Sequence, residues 1–125
     1  MRAKIEQGAK KIKISTKKGI VNINIDYIIC GKQFSVGTLI YMEDGSHFLM
    51  KERISELLEI IREDNFVMIN PHSLINIRYI DAIVLDQVIM KNGIKYWMNK
   101  KYKKHFMSRL SSYFEIEYET ARQIS

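Results

Sequence analysis

The sequence predicts a mainly β domain of about ten short antiparallel strands with one or two helices. Three observations carry that prediction. From Ile12 to Ile25, apolar and polar residues alternate with a period of two, the pattern of a strand with one buried face. Asp44-Gly45 and Asn92-Gly93 each supply a two-residue turn for a tight hairpin, because Gly adopts positive φ without steric cost. Helical spacing is confined to residues 51–64 and to the run after Asn99.

In the first strands Ile12 and Ile14 alternate with Lys11 and Lys13. After a Lys17-Lys18-Gly19 turn, Val21, Ile23 and Ile25 alternate with Asn22 and Asn24. Residues 1–10 ahead of them read as a flexible segment, with Arg2 and Lys4 available as a basic arm. Tyr27, Ile28, Ile29 and Cys30 continue the extended run. Residues 31–37, bracketed by glycines and carrying Lys32, Gln33 and Ser35, interrupt it; they read either as a loop built to present side chains or as an ordinary surface loop. Residues 38–42 and 46–50 pair across Asp44-Gly45. In residues 51–64, Ile54, Leu57, Leu58 and Ile61 form one apolar stripe, with Glu52, Glu56, Glu59 and Glu63 mostly on the remaining surface, as in a packing helix.

Residues 66–69 read as the next strand. Pro71 has no ladder donor and restricts Asn70 to extended geometry, so a polar turn of Asn70, Pro71, His72 and Ser73 is expected there, exposed to solvent. Leu74 and Ile75 return to the core, and Asn76 is expected to satisfy backbone groups at a bend. Residues 79–85 and 87–91 pair around Asp86, and residues 94–98 pair back across Asn92-Gly93. Asn99 is suited to cap a helix on which Tyr102, Phe106, Leu110 or Arg109, and Tyr113 share a face. Trp97 alternates with Tyr96 and fits either side of its strand. Residues 115–119 fit a helix extension, an edge strand or a free tail.

At 125 residues and 46% apolar, the chain is long enough for one domain with a real core and short for two. That domain is expected at residues 11–114, followed by a tail at 115–125. One proline and six glycines exclude a low-complexity chain, and no internal repeat is expected. Cys30, the single cysteine, has no intrachain disulfide partner and sits in an apolar run as a buried, inert thiol does. No apolar run approaches the ~20 residues of a membrane span, and residues 1–10 lack the apolar core of a signal peptide, so a cytoplasmic location without membrane contact is expected.

The charge is segregated along the chain. Residues 1–18 hold seven basic groups and one acid, residues 19–65 hold four and eight, and residues 91–109 hold seven and none, within a net charge of +6. Lys100, Lys101, Lys103 and Lys104 crowd a helix N-terminus, where cations oppose the macrodipole. The free N–H groups there favour phosphate, and duplex DNA rewards clustered cations through counterion release, so an anionic partner is indicated. A solvated helix face is the plainer reading of the same lysines. Asn70, His72 and Ser73 carry the donors and acceptors that base edges take, although His72 also suits a structural turn role.

Enzyme constellations are missing from the sequence. His47, His72 and His105 show no metal-ligand spacing, and there is neither a phosphate-cradling glycine motif nor a GxSxG nucleophile. Glu43-Asp44 reads as a solvated turn. A binding protein is expected, with no catalytic residue, metal or cofactor.

The run FVMINPHSLINIRYIDAIVLDQVIMKNGIKYWMNKKYKKHFMSRL resembles the second half of the LytTR family of bacterial DNA-binding domains. That family has a strand near F-V-R-I-H-x-S, a hydrophobic-hydrophobic-Asn step, a Y-I pair, an Asn-Gly hairpin and a closing S-R-x-Y-K-x-x-L run. The matching pieces here are residues 66–69, Leu74-Ile75-Asn76, Tyr79-Ile80, Asn92-Gly93 and residues 100–104. The first half is looser, with Ile28-Ile29-Cys30, Leu39-Ile40-Tyr41, Asp44-Gly45 and Leu57-Leu58 in the expected order, so the resemblance covers residues 11–113. Its departures are Asn70 for the usual His, His72 for the usual Ser, Pro71 between them where a polar residue is common, and Asn99, Lys100 and Lys101 in place of the usual Ser-Arg.

The resemblance implies an elongated, mostly β domain acting as a sequence-specific transcriptional regulator. It would bind direct repeats in duplex DNA, its loops entering successive major grooves and bending the duplex. Mapped by residue, it places DNA contacts at Lys32, Gln33 and Ser35 in a first loop, at Asn70, His72 and Ser73 in a second, and at Asn99, Lys100 and Lys101 in a third, with Lys103 and Lys104 beside them. Two copies on adjacent repeats, as a homodimer or in tandem, are implied as well. Most members carry a phosphoacceptor receiver domain ahead of this one; 125 residues leave no room for it, so a stand-alone regulator is expected. A protein-interaction module or co-regulator of the same fold that does not read DNA is the alternative, kept open by Pro71. A non-specific RNA-binding β protein ranks third, since no exposed aromatic platform is evident.

Overall fold

The computed structural model of the chain describes residues 10–124, with side chains as far as residue 114; the basic arm expected at Arg2 and Lys4 lies outside the described residues. Strands β1 (Lys11–Thr16) and β2 (Gly19–Asn24) form a separate hairpin in the expected register, Ile14 opposite Val21 and Ile12 opposite Ile23. Five strands, β3 (Ile28–Phe34), β4 (Gly37–Met42), β5 (His47–Met50), β6 (Phe66–Asn70) and β7 (Ser73–Asn76), make an antiparallel sheet in the order β5-β4-β3-β7-β6. A three-stranded sheet follows in the order β10-β9-β8, from β8 (Ile80–Val84), β9 (Gln87–Met90) and β10 (Lys95–Trp97). Two helices complete the fold, α1 (Ile54–Ile61) between β5 and β6, and α2 (Lys100–Ile124) after β10. The architecture is mainly β, as the sequence patterning predicts.

The period-two pattern sets the layers. Successive residues of the five-stranded sheet point to opposite faces, and both faces are covered. On one face Ile28, Ile40, Met50, Phe66 and Leu74 pack with Ile14 and Ile23 of the hairpin and with the α1 stripe Ile54, Leu57 and Ile61. On the other, Cys30, Val67, Ile69 and Ile75 pack with Val88, Met90 and Tyr96 of the smaller sheet and with Phe106 and Leu110 of α2. Strand β7 has four buried residues in a row because it meets both layers.

Asn76 holds this arrangement at its bend. Fully buried, it donates Nδ2 to Ile28 O at 2.8 Å and accepts at Oδ1 from Asn65 Nδ2 at 2.7 Å and from Arg78 N at 3.0 Å. The bond from Arg78 N caps a short 3-10 turn, Ile77–Tyr79. Asn24 caps another, Ile25–Tyr27, by accepting from Asp26 N at 3.0 Å. The two sites share the local sequence Asn-Ile-x-Tyr-Ile, a short recurrence where no repeat is expected from the sequence.

Two further expectations change. The interruption at residues 31–37 is not a seven-residue loop: β3 runs on to Phe34 and only Ser35 and Val36 separate it from β4. Lys32 pairs with Leu39 on one side and Ser73 on the other, and this two-sided pairing overrides the local glycine signal. Gly37 is required for a different reason, since at φ +144 a Cβ there would overlap the carbonyl oxygen of Met50. Helix α1 is also shorter than residues 51–64. It begins only at Ile54 and ends at Arg62, whose left-handed φ of 51 turns the chain out of the helix.

Candidate nucleic-acid interface

Because the five strands are antiparallel, one end of the sheet collects the exit of β5, the β3–β4 turn and the β6–β7 turn. The hydrogen bonds across this end join segments that lie far apart in sequence. Gln33 N donates to His72 O at 2.8 Å, which sets the first turn beside the second. Asn70 Nδ2 donates to Trp97 O at 2.9 Å and Asn99 N donates to Ile69 O at 2.8 Å, which sets the second turn beside the start of α2. The three loops expected to touch DNA therefore stand in one row.

Within that row the expected residues divide by what their side chains do. His72, Ser35, Lys32, Asn99, Lys100, Lys101, Lys103 and Lys104 are exposed. Asn99 caps α2 as its sequence position suggests, accepting from Lys101 N at 2.8 Å. Asn70 is half-buried with both ends of its amide engaged, since Oδ1 also accepts from His72 N at 2.9 Å. Gln33 is likewise half-buried, and its Oε1 accepts from Ile54 N at 3.0 Å, an otherwise free donor in the first turn of α1. Both amides shape the loops.

Ser73 is a correction. At 2% exposure it is a buried residue of β7, because Lys32 and Asn70 both pair against it and close the space that an open turn would leave. The lysine group at the start of α2 is also less free than its sequence suggests. Lys103 meets Asp86, from the β8–β9 turn, at 3.1 Å; both partners are well exposed, so the pair adds little stability.

Trp97 is the residue of the row that its sequence left open. Tyr96 is buried and Trp97 is 68% exposed, beside Asn70 and just ahead of the lysines. Phe34 and Val36, at 44% and 67%, add apolar surface at the first turn, with Lys32 Nζ 5.6 Å from the centre of the Phe34 ring. The alternation of Tyr96 and Trp97 is the sequence signal for this: the Tyr96 hydroxyl donates to buried Cys30 Sγ at 3.3 Å, so the next residue of the strand faces outward. Burial pushes the Cys30 thiol pKa up, against the opposing hydrogen bonds from Tyr96 and Asn92, in keeping with an inert buried thiol.

Other basic residues are carried away from the row. Lys91 begins the β9–β10 turn, where its N–H donates to Tyr79 O beside exposed Arg78 and Asn92 lies 3.9 Å from Cys30, toward the opposite end of β3 from Phe34, whereas Lys95 sits two residues before Trp97 in β10. Arg109 binds Asp64, and Lys10 binds Glu63, both just after α1. Among the described residues no three His, Cys, Asp or Glu side chains come together, and no helix is long and apolar enough to cross a membrane.

Comparison with known proteins agrees with this geometry. The family model of the LytTr DNA-binding domain matches residues 18–111. The solved LytTr DNA-binding domain of a methyl-accepting/DNA response regulator from Bacillus cereus has the same fold, with a TM-score of 0.70 at 18% sequence identity, over 82% of this chain and 98% of that one. No curated protein matches the chain. With the family match extending from the β1–β2 turn into α2, the chain belongs to the LytTr DNA-binding domain family.

Proposed function

We propose that this protein is a transcriptional regulator that reads direct repeats in duplex DNA through the row of turns at the end of its five-stranded sheet. The observation that carries the reading is the hydrogen-bonded continuity of the three segments, from Gln33 through His72 and Asn70 to Trp97 and Asn99. Adjacent strands lie about 4.8 Å apart, so β4 to β6 spans roughly 15 Å before the start of α2 is added; this exceeds a major groove about 12 Å wide. The two ends of the row thus meet different parts of the duplex. His72 and Ser35 are the exposed polar side chains placed for base edges. Lys32, Lys100, Lys101 and Lys104 supply phosphate contacts, helped by the N-terminal dipole of α2. Asn70 and Gln33 position the turns, and the exposed Trp97 offers an apolar contact to a thymine methyl or a sugar.

The exposed apolar surface of Phe34, Val36 and Trp97 favours one other reading, a partner-binding module of the same fold. Selection from a pool of random duplexes at near-physiological salt separates the two. Enrichment of a paired direct repeat supports the regulator reading and defines the operator. Salt-sensitive retention without enrichment removes the sequence-reading function, and absence of retention favours the module.

A further inference from the structure

The basic run at Lys10, Lys11, Lys13, Lys17 and Lys18 is not used by the three-loop reading, and the fold splits it. Lys10 lies at the far end, paired with Glu63. Lys17 and Lys18 form the exposed tip of the β1–β2 hairpin, directly after Ser15 and Thr16. That tip is tied to the sheet end already described, because Ser15 O accepts from Lys51 N at 2.9 Å as the chain leaves β5.

Residues 51–53 are fixed in turn against the first turn of the row. Thr38 Oγ1 donates to Glu52 O at 2.8 Å, and Gln33 Oε1 accepts from Ile54 N at 3.0 Å. A small groove of about 110 Å³ between the two segments is lined by Phe34, Ser35 and Val36 on one side and Lys51 and Arg53 on the other. Lys51 and Arg53 are exposed, and among the described residues neither they nor Lys17 and Lys18 enter an ion pair. Glu52, the acid between them, is half-buried, with Oε1 shielded from solvent.

We infer that Lys17, Lys18, Lys51 and Arg53 form a fourth contact region, a phosphate-binding extension of the interface on the β5 side, which grips the duplex backbone beyond the base-reading turns. The row then runs from the hairpin tip through the β5 exit, the β3–β4 turn and the β6–β7 turn to the start of α2. With strands about 4.8 Å apart, this adds roughly 10 Å to its length, about three base pairs of duplex at one side of each half-site. Such contacts carry affinity and orientation without sequence information.

The inference rests on the DNA-binding reading, and its test keeps the two separable. The full chain is compared with the double variants Lys17→Ala/Lys18→Ala and Lys51→Ala/Arg53→Ala, and with Arg78→Ala/Lys91→Ala, which removes the same charge from the far end. Affinity for the duplex enriched by wild type is measured across a salt series, with hydroxyl-radical footprints of each complex. Wild type failing to bind any duplex overturns the DNA-binding reading itself. With wild type bound, each of the first two variants is expected to lower the salt slope by about two and to leave base preference unchanged, while the far-end variant keeps the wild-type slope. Backbone protection should retreat by about three base pairs on one side only. Slopes and footprints equal to wild type, or an equal drop in the far-end variant, overturn the fourth contact region.

Discussion

Asn70→Ala removes both hydrogen bonds of the Asn70 amide, the donation to Trp97 O that joins the β6–β7 turn to the segment before α2 and the acceptance from His72 N within the turn, each at 2.9 Å. Bonds of this kind contribute about 0.5–1.5 kcal/mol net, so their joint loss is expected to cost about 1–3 kcal/mol of folding stability. Binding suffers through the same loss. With the turn held to the α2 junction only by the Asn99 N to Ile69 O bond, at least one residue must be ordered on complex formation at about 1–2 kcal/mol, which corresponds to a Kd weaker by roughly tenfold. Because both ends of the Asn70 amide are engaged within the protein, the weakening should be uniform across operator variants. Urea unfolding measures the first effect, and titrations against the selected duplex and its single-base variants measure the second. A protein that unfolds like wild type yet loses discrimination at one base pair would refute the positioning role and make Asn70 a base reader.

Other substitutions probe the remaining roles. His72→Ala, at an exposed turn position, is expected to relax preference at one or two base pairs by about 1–3 kcal/mol each, read from the same titrations. Lys104→Ala should instead weaken binding evenly and lower the salt slope by about one, with a smaller effect for Lys103→Ala because Asp86 already pairs with Lys103. Asn76→Ala leaves the carbonyl of fully buried Ile28 short of a donor and frees Asn65 and Arg78, which water can reach; a loss of about 2–4 kcal/mol is expected in urea unfolding, and a loss below about 1 would contradict its structural role. Burial raises the Cys30 thiol pKa above its ordinary value of 9.0. Below that pH the thiol is protonated in folded and unfolded chains alike and its contribution is fully present. As pH climbs above it, the unfolded chain gives up a proton that the folded chain keeps, so stability should fall by up to about 1.4 kcal/mol per pH unit, and Cys30→Ser should lack this component.

Local chemistry was legible in the sequence wherever it acts over a few residues. The alternation in β1 and β2, the turns at Asp44-Gly45 and Asn92-Gly93, the α1 stripe and the Asn99 cap all depend on neighbours within about four positions, and each appears in the structure. Glycine misled at residues 31–37, where pairing of β3 with β4 and β7 extended the strand. Helix α1 came out shorter because Lys51 N and Glu52 O are bound to Ser15 and Thr38 instead of to their own helix.

The sequence by itself determined the element types, the family resemblance and the excess of positive charge. Tertiary structure alone decided which of those charges share a surface. Lys91 is close in sequence to Lys100 yet lies beside Tyr79, away from the row, whereas Lys17, Lys51 and Lys100, each separated from the next by more than thirty residues, are brought to one end of the same sheet. Tertiary structure likewise buried Ser73, turned Trp97 outward and engaged the amides of Gln33 and Asn70. The physical reason is that side-chain exposure at a turn depends on what the neighbouring strands bring against it. In this chain those neighbours come from pairings such as Lys32 with Ser73, and from contacts such as Asn70 with Trp97, that no local pattern encodes.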